Sequence, residues 1–201
     1  MSVIEIKSAP RASASATPMV PNAYSLAAGQ AGLSTAAGTN QVMFVYPWVF
    51  ARACTLDRAS IDISGAGEAG STSRIVIYSD LAGLPGSLLL DTGTSGPAGA
   101  GDGTVTGANP FTISCPVSPW VVYWVGDLCQ NATTTRPTRR TYQSSLGSYA
   151  PSSIPGGSPG GAGGTGAWRK NSVSGAPPAS FGTPDSIGAP TSCAAIWLRA
   201  Q

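Results

Sequence analysis

The chain has 201 residues, with 26 Gly, 17 Pro, no His and a net charge of +2. Gly and Pro disfavour helix interiors, so this composition excludes long helices and coiled coils. Without histidine, Ser-His-Asp catalysis, Cys-His catalysis and His-ligated zinc are excluded. The small charge does not indicate a nucleic-acid surface, and no apolar run of about 18 residues indicates a membrane span, so we expect neither nucleic-acid binding nor membrane insertion.

Residues 1–20 are polar and rich in Ala, Ser and Pro. Their apolar patch consists of Val3, Ile4 and Ile6, and the basic residues of the segment are Lys7 and Arg11. We predict an extended arm that can order against a partner, with these side chains as the candidate attachment residues. No apolar stretch follows the basic residues as it would in a secretory signal, so we expect the chain to fold in the cytosol. Residues 21–201 are predicted to form one domain.

Short segments with strand-like patterns, separated by Gly- and Pro-rich turns, occupy most of this domain. Residues 41–46 and 120–125 are apolar on both faces, which predicts buried strands, the second of them central in its sheet. Residues 58–63 alternate polar and apolar side chains, which is typical of a half-buried antiparallel strand. The predicted strands are 41–46, 56–64, 74–79, 87–91, 104–106, 111–115, 120–125 and 193–198.

The connections between these strands are predicted from turn-forming residues. Pro47 is expected to end or kink the first strand, and a turn is predicted over residues 80–86. A short link rich in Pro and Ser predicts a hairpin between 111–115 and 120–125. Residues 144–190 carry several Gly-Gly pairs and are predicted to form a long loop. The fold predicted is all-β, an antiparallel β-sandwich of the jelly-roll type with an extended N-terminal arm and a long Gly/Pro-rich loop.

Groups able to support catalysis or metal binding are scattered. Asp80 and Asp91 flank one turn, yet nothing favours them as the facing carboxylates of a glycosidase. Asp102 is a lone oxygen ligand in a Gly-Asp-Gly turn, whereas calcium needs several ligands together. We therefore predict no catalytic residue, no metal and no cofactor, and a protein that is not an enzyme. The basic cluster of Arg136, Arg139 and Arg140 is expected on a solvated loop.

The four cysteines, Cys54, Cys115, Cys129 and Cys193, include no C-x-x-C pair. Oxidised, they would allow three disulfide pairings. Reduced, they would act as small buried hydrophobes, and this is the interpretation that we favour.

Aromatic side chains in the predicted loop region are the remaining functional signal. Tyr142, Tyr149 and Trp168, the last followed by Arg169, lie in or next to this region. Their rings could stack on the sugar units of a glycan. They could equally anchor the loop or pack at a subunit interface, which is the more frequent role.

Six short motifs mark the strands and turns of this domain: Leu56-Asp57-Arg58, the segment 74–80, Leu84-Pro85-Gly86, Tyr123-Trp124, the segment 176–181 and the segment 196–199. Together they resemble the β-sandwich module of tailed-bacteriophage virion proteins, which occurs in tail fibres and similar surface appendages. The residues of these motifs have roles in packing and turns. Tyr78 and Trp124 are large rings that we expect to be buried. Arg58 or Arg74 can form an ion pair with a nearby carboxylate, such as that of Asp57, Asp62 or Asp80. The similarity covers roughly residues 22–200.

This resemblance implies a structural component of a bacteriophage virion, a fibre-type or decoration subunit attached through its N-terminal arm. The implied partners are other virion proteins, of the capsid, the portal or neck, or the tail, and further copies of the chain in a homo-oligomer such as a trimer. The implied location is the virion, assembled in the cytoplasm of the bacterial host. The alternative is a carbohydrate- or receptor-binding module that mediates adsorption to a host cell-surface glycan.

Overall fold

The computed structural model describes residues 16–27, 33–94, 107–142, 167–188 and 190–201. These residues contain twelve β-strands, a short 3-10 turn at Pro190–Ser192 and no α-helix. The strands are β1 (Tyr24–Ser25), β2 (Leu33–Ala37), β3 (Val42–Val49), β4 (Cys54–Gly65), β5 (Thr72–Leu81), β6 (Leu84–Asp91), β7 (Gly107–Val117), β8 (Val122–Gln130), β9 (Thr138–Tyr142), β10 (Ala167–Lys170), β11 (Ser186–Gly188) and β12 (Ile196–Ala200).

The strands form two antiparallel sheets that pack against each other. The first sheet has the order β1-β12-β4-β9-β2, and β7 also pairs with β4. The second sheet has the order β11-β10-β3-β8-β5-β6. This arrangement confirms the predicted all-β antiparallel sandwich. The predicted final strand over 193–198 is present as β12, shifted to Ile196–Ala200, and it lies in the first sheet between β1 and β4.

The core between the sheets is built by alternation along the strands. In β4, Ala59, Ile61 and Ile63 are buried in this core, whereas Ser60 and Asp62 belong to the opposite, outer face. The alternation follows from the strand period of two, since successive side chains point to opposite faces. The first sheet therefore has one apolar face and one mixed outer face.

The second sheet is covered on both faces. Every residue of β3 is buried, with Phe44 and Tyr46 in the core between the sheets and Met43 and Val45 in a separate apolar cluster. The separate cluster also contains residues of the 171–185 segment, among them Phe181. These contacts confirm that 42–46 is a strand buried on both faces. Of the predicted strand 120–125, residues 122–125 lie in β8, which is central in its sheet between β3 and β5, whereas Trp120 and Val121 precede the strand and are exposed.

Pro47 does not end its strand. It lies opposite Trp124 in the β3–β8 ladder, and β3 continues to Val49. The β10 strand pairs with β3 at Met43–Val45 and not with Pro47. At Pro47, β3 therefore has a ladder on one side alone in the described part of the chain, which is the situation in which a sheet tolerates a proline.

The predicted hairpin between 111–115 and 120–125 is wrong. The β7 strand pairs with β4 in the first sheet, while β8 pairs with β3 and β5 in the second. The link between them therefore crosses from one sheet to the other. The reason is that an apolar pattern reports which faces of a strand are buried and carries no information about the neighbouring strand.

Two predicted loops are shorter than expected. The turn after β5 consists of Ala82 and Gly83, both at positive φ, and Pro85-Gly86 lies inside β6. Residues 167–170 and 186–188 are strands, so the predicted loop over 144–190 is wrong for these residues. Tyr149 and residues 143–166, like the predicted strand at 104–106, lie outside the described residues.

The described end of the predicted arm belongs to the domain. The Thr17 N–H donates to the Val49 carbonyl at 2.7 Å, and the Met19 side chain is buried in the core between the sheets. The candidate attachment residues lie outside the described residues; they are Val3, Ile4, Ile6, Lys7 and Arg11. Among the described residues there is no helix with the length and hydropathy required to cross a bilayer.

Candidate functional site

A cleft of about 500 Å³ opens on the outer face of the first sheet. We call it the outer cleft, and its lining residues are Tyr24, Ser60, Asp62, Pro110 and Trp197. They come from β1, β4, β7 and β12, so the cleft exists only once the sheet has formed. Its volume lies within the range typical of small-molecule sites, roughly 300–1,000 Å³.

Ser60 is the most deeply placed residue of the outer cleft. In the sheet it lies between Trp197 on β12 and Pro110 on β7. Its side chain is on the outer face, yet the residue is only 3% exposed, and its Oγ has no hydrogen-bond partner among the described residues. A buried hydroxyl normally has a partner, so the missing partner of Ser60 Oγ at the base of the cleft calls for an explanation.

Asp62 is the only charged residue that lines the outer cleft in the described part of the chain. Its Oδ2 accepts a hydrogen bond from Arg140 Nε at 3.0 Å, and both side chains are partly exposed. Its Oδ1 accepts no hydrogen bond from any described residue. One acceptor of this oriented carboxylate therefore remains for a ligand.

The ring of Tyr24 is held from outside the cleft. The Arg199 guanidinium carbon lies 5.7 Å from the centre of the Tyr24 ring, in a cation–π contact. Arg199 Nε in turn donates to Asp57 Oδ1 at 3.0 Å. The hydrogen bond from Arg199 lowers the pKa of the Asp57 carboxyl, and the same bond raises the pKa of Arg199. The Asp57–Arg199 pair thus stays ionised and fixes one face of the ring.

The aromatic residues selected from the sequence lie elsewhere. Tyr142 is fully buried on β9, and its hydroxyl lies 3.2 Å from that of Tyr46. Trp168, on β10, is 4% exposed and packs beside Trp124 with ring centres 6.4 Å apart. The expectation that these two rings lie in loops, where a glycan could reach them, is therefore wrong. Each sits on a strand whose inward face belongs to an apolar cluster.

Arg169 and the basic cluster also have structural partners. Arg169 is half-buried, with its guanidinium carbon 5.9 Å from the centre of the Phe44 ring. Arg139 is buried, not solvated as expected, and its Nη1 lies 2.8 Å from Asp127 Oδ2. Arg136 Nη1 donates to the Gly38 carbonyl at 3.5 Å. The three arginines of the cluster thus have different surroundings and do not form one basic patch.

Each carboxylate in the described part of the chain has a polar partner. Arg74 pairs with Asp91 rather than with one of the carboxylates expected from the sequence, and Asp80 Oδ1 accepts from Trp124 Nε1 at 2.9 Å. Arg58 Nη1 lies 3.8 Å from Asp57 Oδ2. Glu68 accepts hydrogen bonds from backbone N–H groups, and Asp185 faces Lys170. The carboxylates are used to fasten strands and loops.

The cysteines are free thiols. Cys115, Cys129 and Cys193 are buried and Cys54 is half-buried, as expected for small hydrophobes. Burial raises the pKa of Cys115 and of Cys129 to about 11. Within the described ranges, no group of three or more Cys, Asp and Glu side chains could hold a metal ion.

A second surface feature lies at one end of the second sheet. Trp120, Val121 and Leu81 are 65%, 42% and 64% exposed, and we call them the apolar rim. The last pair of the β5–β8 ladder is Ser79 with Tyr123, so continuing the register by two residues places Leu81 beside Val121. Trp120 has φ of 61° and is anchored through its N–H, which donates to the Phe50 carbonyl at 2.9 Å.

Sequence reasoning missed the outer cleft, although part of the signal was present. The alternation over residues 58–63 places Ser60 and Asp62 on the polar face of a strand. Trp197 belongs to the apolar final strand predicted over 193–198, and the sequence pattern gives Tyr24 no predicted role. Only the register of four strands brings these side chains together.

The outer cleft combines two aromatic rings, an unpartnered hydroxyl and a carboxylate with a free acceptor. These groups suit non-covalent binding of a small ligand that has both apolar and hydroxyl surfaces. No protein-family model, no curated protein and no solved structure matches this chain.

Proposed function

We propose that this protein is a non-catalytic structural subunit of a bacteriophage virion, a surface appendage, fibre-type or decoration subunit attached through its N-terminal segment. The resemblance of its strand and turn motifs to the sandwich module of tailed-phage virion proteins supports this assignment. In that setting the chain acts by presenting surfaces to neighbouring subunits and to the host. The observation that carries the proposal is the apolar rim.

The apolar rim has the properties of a subunit contact. Aromatic side chains are enriched at the centres of protein interfaces, and a Trp at positive φ is a strained conformation that costs of order 1–3 kcal/mol. A strained and exposed Trp120 beside Leu81 and Val121 is best explained by a neighbour that covers it. We assign the rim to contact with a second copy of the chain in a homo-oligomer, such as a trimer.

The use of the acidic residues supports a role without catalysis. A general acid or a nucleophilic carboxylate has to be free to meet substrate. Asp57, Asp91 and Asp127 instead form ion pairs with Arg199, Arg74 and Arg139. These three carboxylates therefore have a structural role, as partners of arginines on other strands.

The proposal is tested by measuring the chain in purified phage particles by quantitative mass spectrometry. We expect the full chain to be present and a chain lacking residues 1–15 to be folded but absent, because the attachment segment is removed while Thr17 and Met19 remain in the domain. Trp120→Asp should reduce incorporation at least tenfold. The matched control is Leu89→Asp, which changes another exposed apolar residue away from the rim and should be incorporated normally.

Absence of the full chain from particles would overturn the proposal. Normal incorporation of the shortened chain would show that the N-terminal segment is not the attachment. Normal incorporation of Trp120→Asp would remove the rim as a contact surface.

A second candidate function is recognition of a host cell-surface glycan during adsorption. The outer cleft favours it, because Tyr24, Trp197, Ser60 and Asp62 provide rings and polar groups on one exposed sheet face. This function is compatible with the first, since a virion surface subunit can carry a receptor site.

A further inference from the structure

We propose that the outer cleft binds one neutral pyranose unit of a glycan, with an apolar face of the sugar on the Trp197 ring and its hydroxyls on Asp62 and Ser60. This inference rests on the second candidate function, glycan recognition, and specifies the class of sugar and the residues that hold it.

Trp197 supplies the stacking surface. It is the larger of the two rings in the cleft, and it lies directly opposite Ser60 across the β12–β4 ladder. The face of an aromatic ring is electron-rich and attracts the slightly positive C–H groups on one side of a pyranose. The ring is fixed on a strand between buried neighbours, Ile196 and Leu198, so little freedom is lost on binding.

Asp62 and Ser60 supply the directional contacts. The free Oδ1 of Asp62 accepts a hydrogen bond from a sugar hydroxyl, while Oδ2 stays with Arg140. The Ser60 Oγ can both donate and accept, and it lacks any other partner among the described residues. The two residues are on the same face of β4, two positions and roughly 6–7 Å apart along the strand, which suits hydroxyls on opposite sides of one ring.

The charge of the cleft selects a neutral sugar. Asp62 is the one charged lining residue within the described part of the chain, and Arg140 already bonds to it. The carboxylate of a uronic acid bound in the cleft would lie next to the Asp62 carboxylate, and the two negative charges would repel each other. A neutral hexose or N-acetylhexosamine meets no such repulsion.

Tyr24 borders the outer cleft at the edge of the first sheet. Its ring is held at the end of the first sheet by the Arg199 guanidinium, itself fastened to Asp57. Tyr24 therefore lines the cleft from the edge strand β1. We assign one sugar unit to the cleft, with the rest of the glycan chain extending into solvent.

The test uses the purified full chain and four neutral probes, the methyl pyranosides of glucose, galactose, mannose and N-acetylglucosamine, with methyl glucuronide as the acidic comparator. Saturation-transfer NMR detects binding, and titration gives Kd. We expect at least one neutral probe to bind with Kd on the order of 1 mM, as is usual for a small open site. Methyl glucuronide should bind at least tenfold more weakly.

The variants separate contact from folding. Trp197→Ala should weaken binding at least tenfold, whereas Trp197→Phe keeps a ring and should stay within about threefold of the parent. Asp62→Asn should weaken sugar binding about tenfold and Ser60→Ala about threefold, because a hydrogen bond to a charged group is stronger than one to a neutral hydroxyl. Leu89→Ala, which changes an exposed apolar residue outside both the cleft and the apolar rim, is the control and should bind normally. Circular dichroism and the Tm of each variant establish that it is folded.

Failure of all four neutral probes to receive saturation would overturn the inference. Equal binding by Trp197→Ala and Trp197→Phe would overturn the stacking role, and equal binding of methyl glucuronide would overturn the selection for neutral sugars. A chain that is present in particles but binds no probe would contradict this inference alone. A chain that binds a probe but is absent from particles would contradict the virion assignment alone.

Discussion

Gly126 shows how a single residue determines the centre of the second sheet. It lies on β8 between Val45 on β3 and Val76 on β5. A Cβ built at this position would lie 1.8 Å from the Phe44 carbonyl oxygen, so only glycine allows the two backbones to approach this closely. The clash would be with backbone, which cannot move aside as a flexible side chain can.

We expect Gly126→Ala to lower the free energy of unfolding by about 3 kcal/mol or more, because the central ladder must separate to admit the methyl group. Urea unfolding measures this loss. Gly175→Ala is the matched control, since a Cβ there would meet nothing within 4 Å, and its free energy of unfolding should change by less than about 0.5 kcal/mol. Equal stability of the two variants would contradict the close approach.

At the scale of elements, Glu68 fastens the turn between β4 and β5 to the loop between β8 and β9. Its carboxylate accepts hydrogen bonds from the backbone N–H groups of Thr133, Thr134 and Thr135, with Thr134 N at 3.2 Å from Oε1. The Glu68 N–H donates back to the Thr135 carbonyl at 2.8 Å. The Glu68 carboxylate thus accepts the backbone hydrogen bonds that a neighbouring strand would otherwise accept.

These bonds lower the pKa of Glu68 below its ordinary value of 4.5, with the Thr134 N–H as the main cause. A carboxyl whose pKa is lower in the folded state stabilises it above 4.5, and that contribution is lost as the pH falls through the folded-state pKa. We expect Glu68→Gln to speed amide hydrogen exchange at Thr133, Thr134 and Thr135 at neutral pH. The difference in exchange between the variant and the parent should become smaller as the pH falls below 4.5. Asp185→Asn is the control and should leave exchange at these amides unchanged; a similar increase in that variant would contradict the fastening role.

At the scale of the whole molecule, a buried ion pair joins the two sheets. Asp127 lies on β8 in the second sheet and Arg139 on β9 in the first, with 2.8 Å between Oδ2 and Nη1. Asp127 Oδ1 also accepts from the Ala194 N–H at 3.4 Å, and Arg139 Nη2 donates to the Ser192 carbonyl at 3.1 Å. Burial raises the pKa of Asp127, and Arg139 opposes part of that rise.

Arg139→Met would leave the Asp127 carboxylate buried without its cation, and we expect a loss of about 3–5 kcal/mol in the free energy of unfolding at neutral pH. A carboxyl whose pKa is higher in the folded state favours folding below its ordinary value, 3.8, and this contribution is lost as the pH rises through the folded-state pKa. The loss in the variant should therefore shrink as the pH falls towards 4. Guanidinium unfolding across this pH range measures it.

The double variant Asp127→Leu with Arg139→Met is the control, because replacing both charges by apolar groups is often close to neutral. It should be more stable than Arg139→Met alone at neutral pH. A loss in Arg139→Met that does not change with pH would show that Asp127 is not the source of the instability.

The sequence by itself determined several of the strands and which of their faces are buried, although β10 and β11 lie where it predicts a loop. Residues 42–46 and 122–125 are apolar on both faces and lie inside the second sheet, and the alternation over 58–63 correctly separates a core face from a polar face. This works because side-chain periodicity is a local property of an extended chain. The same property explains the burial of Tyr78 and Trp124.

Only the tertiary structure decided which strands are neighbours, and with them the position of the site. Ser60, Trp197 and Tyr24 come from distant parts of the chain and meet through the register of β4, β12 and β1. The crossing of the link from β7 to β8 between the two sheets could not be predicted for the same reason, because the side-chain pattern of a strand does not show which strand it pairs with. Burial is encoded residue by residue, whereas pairing depends on which of several compatible edges closes the core best.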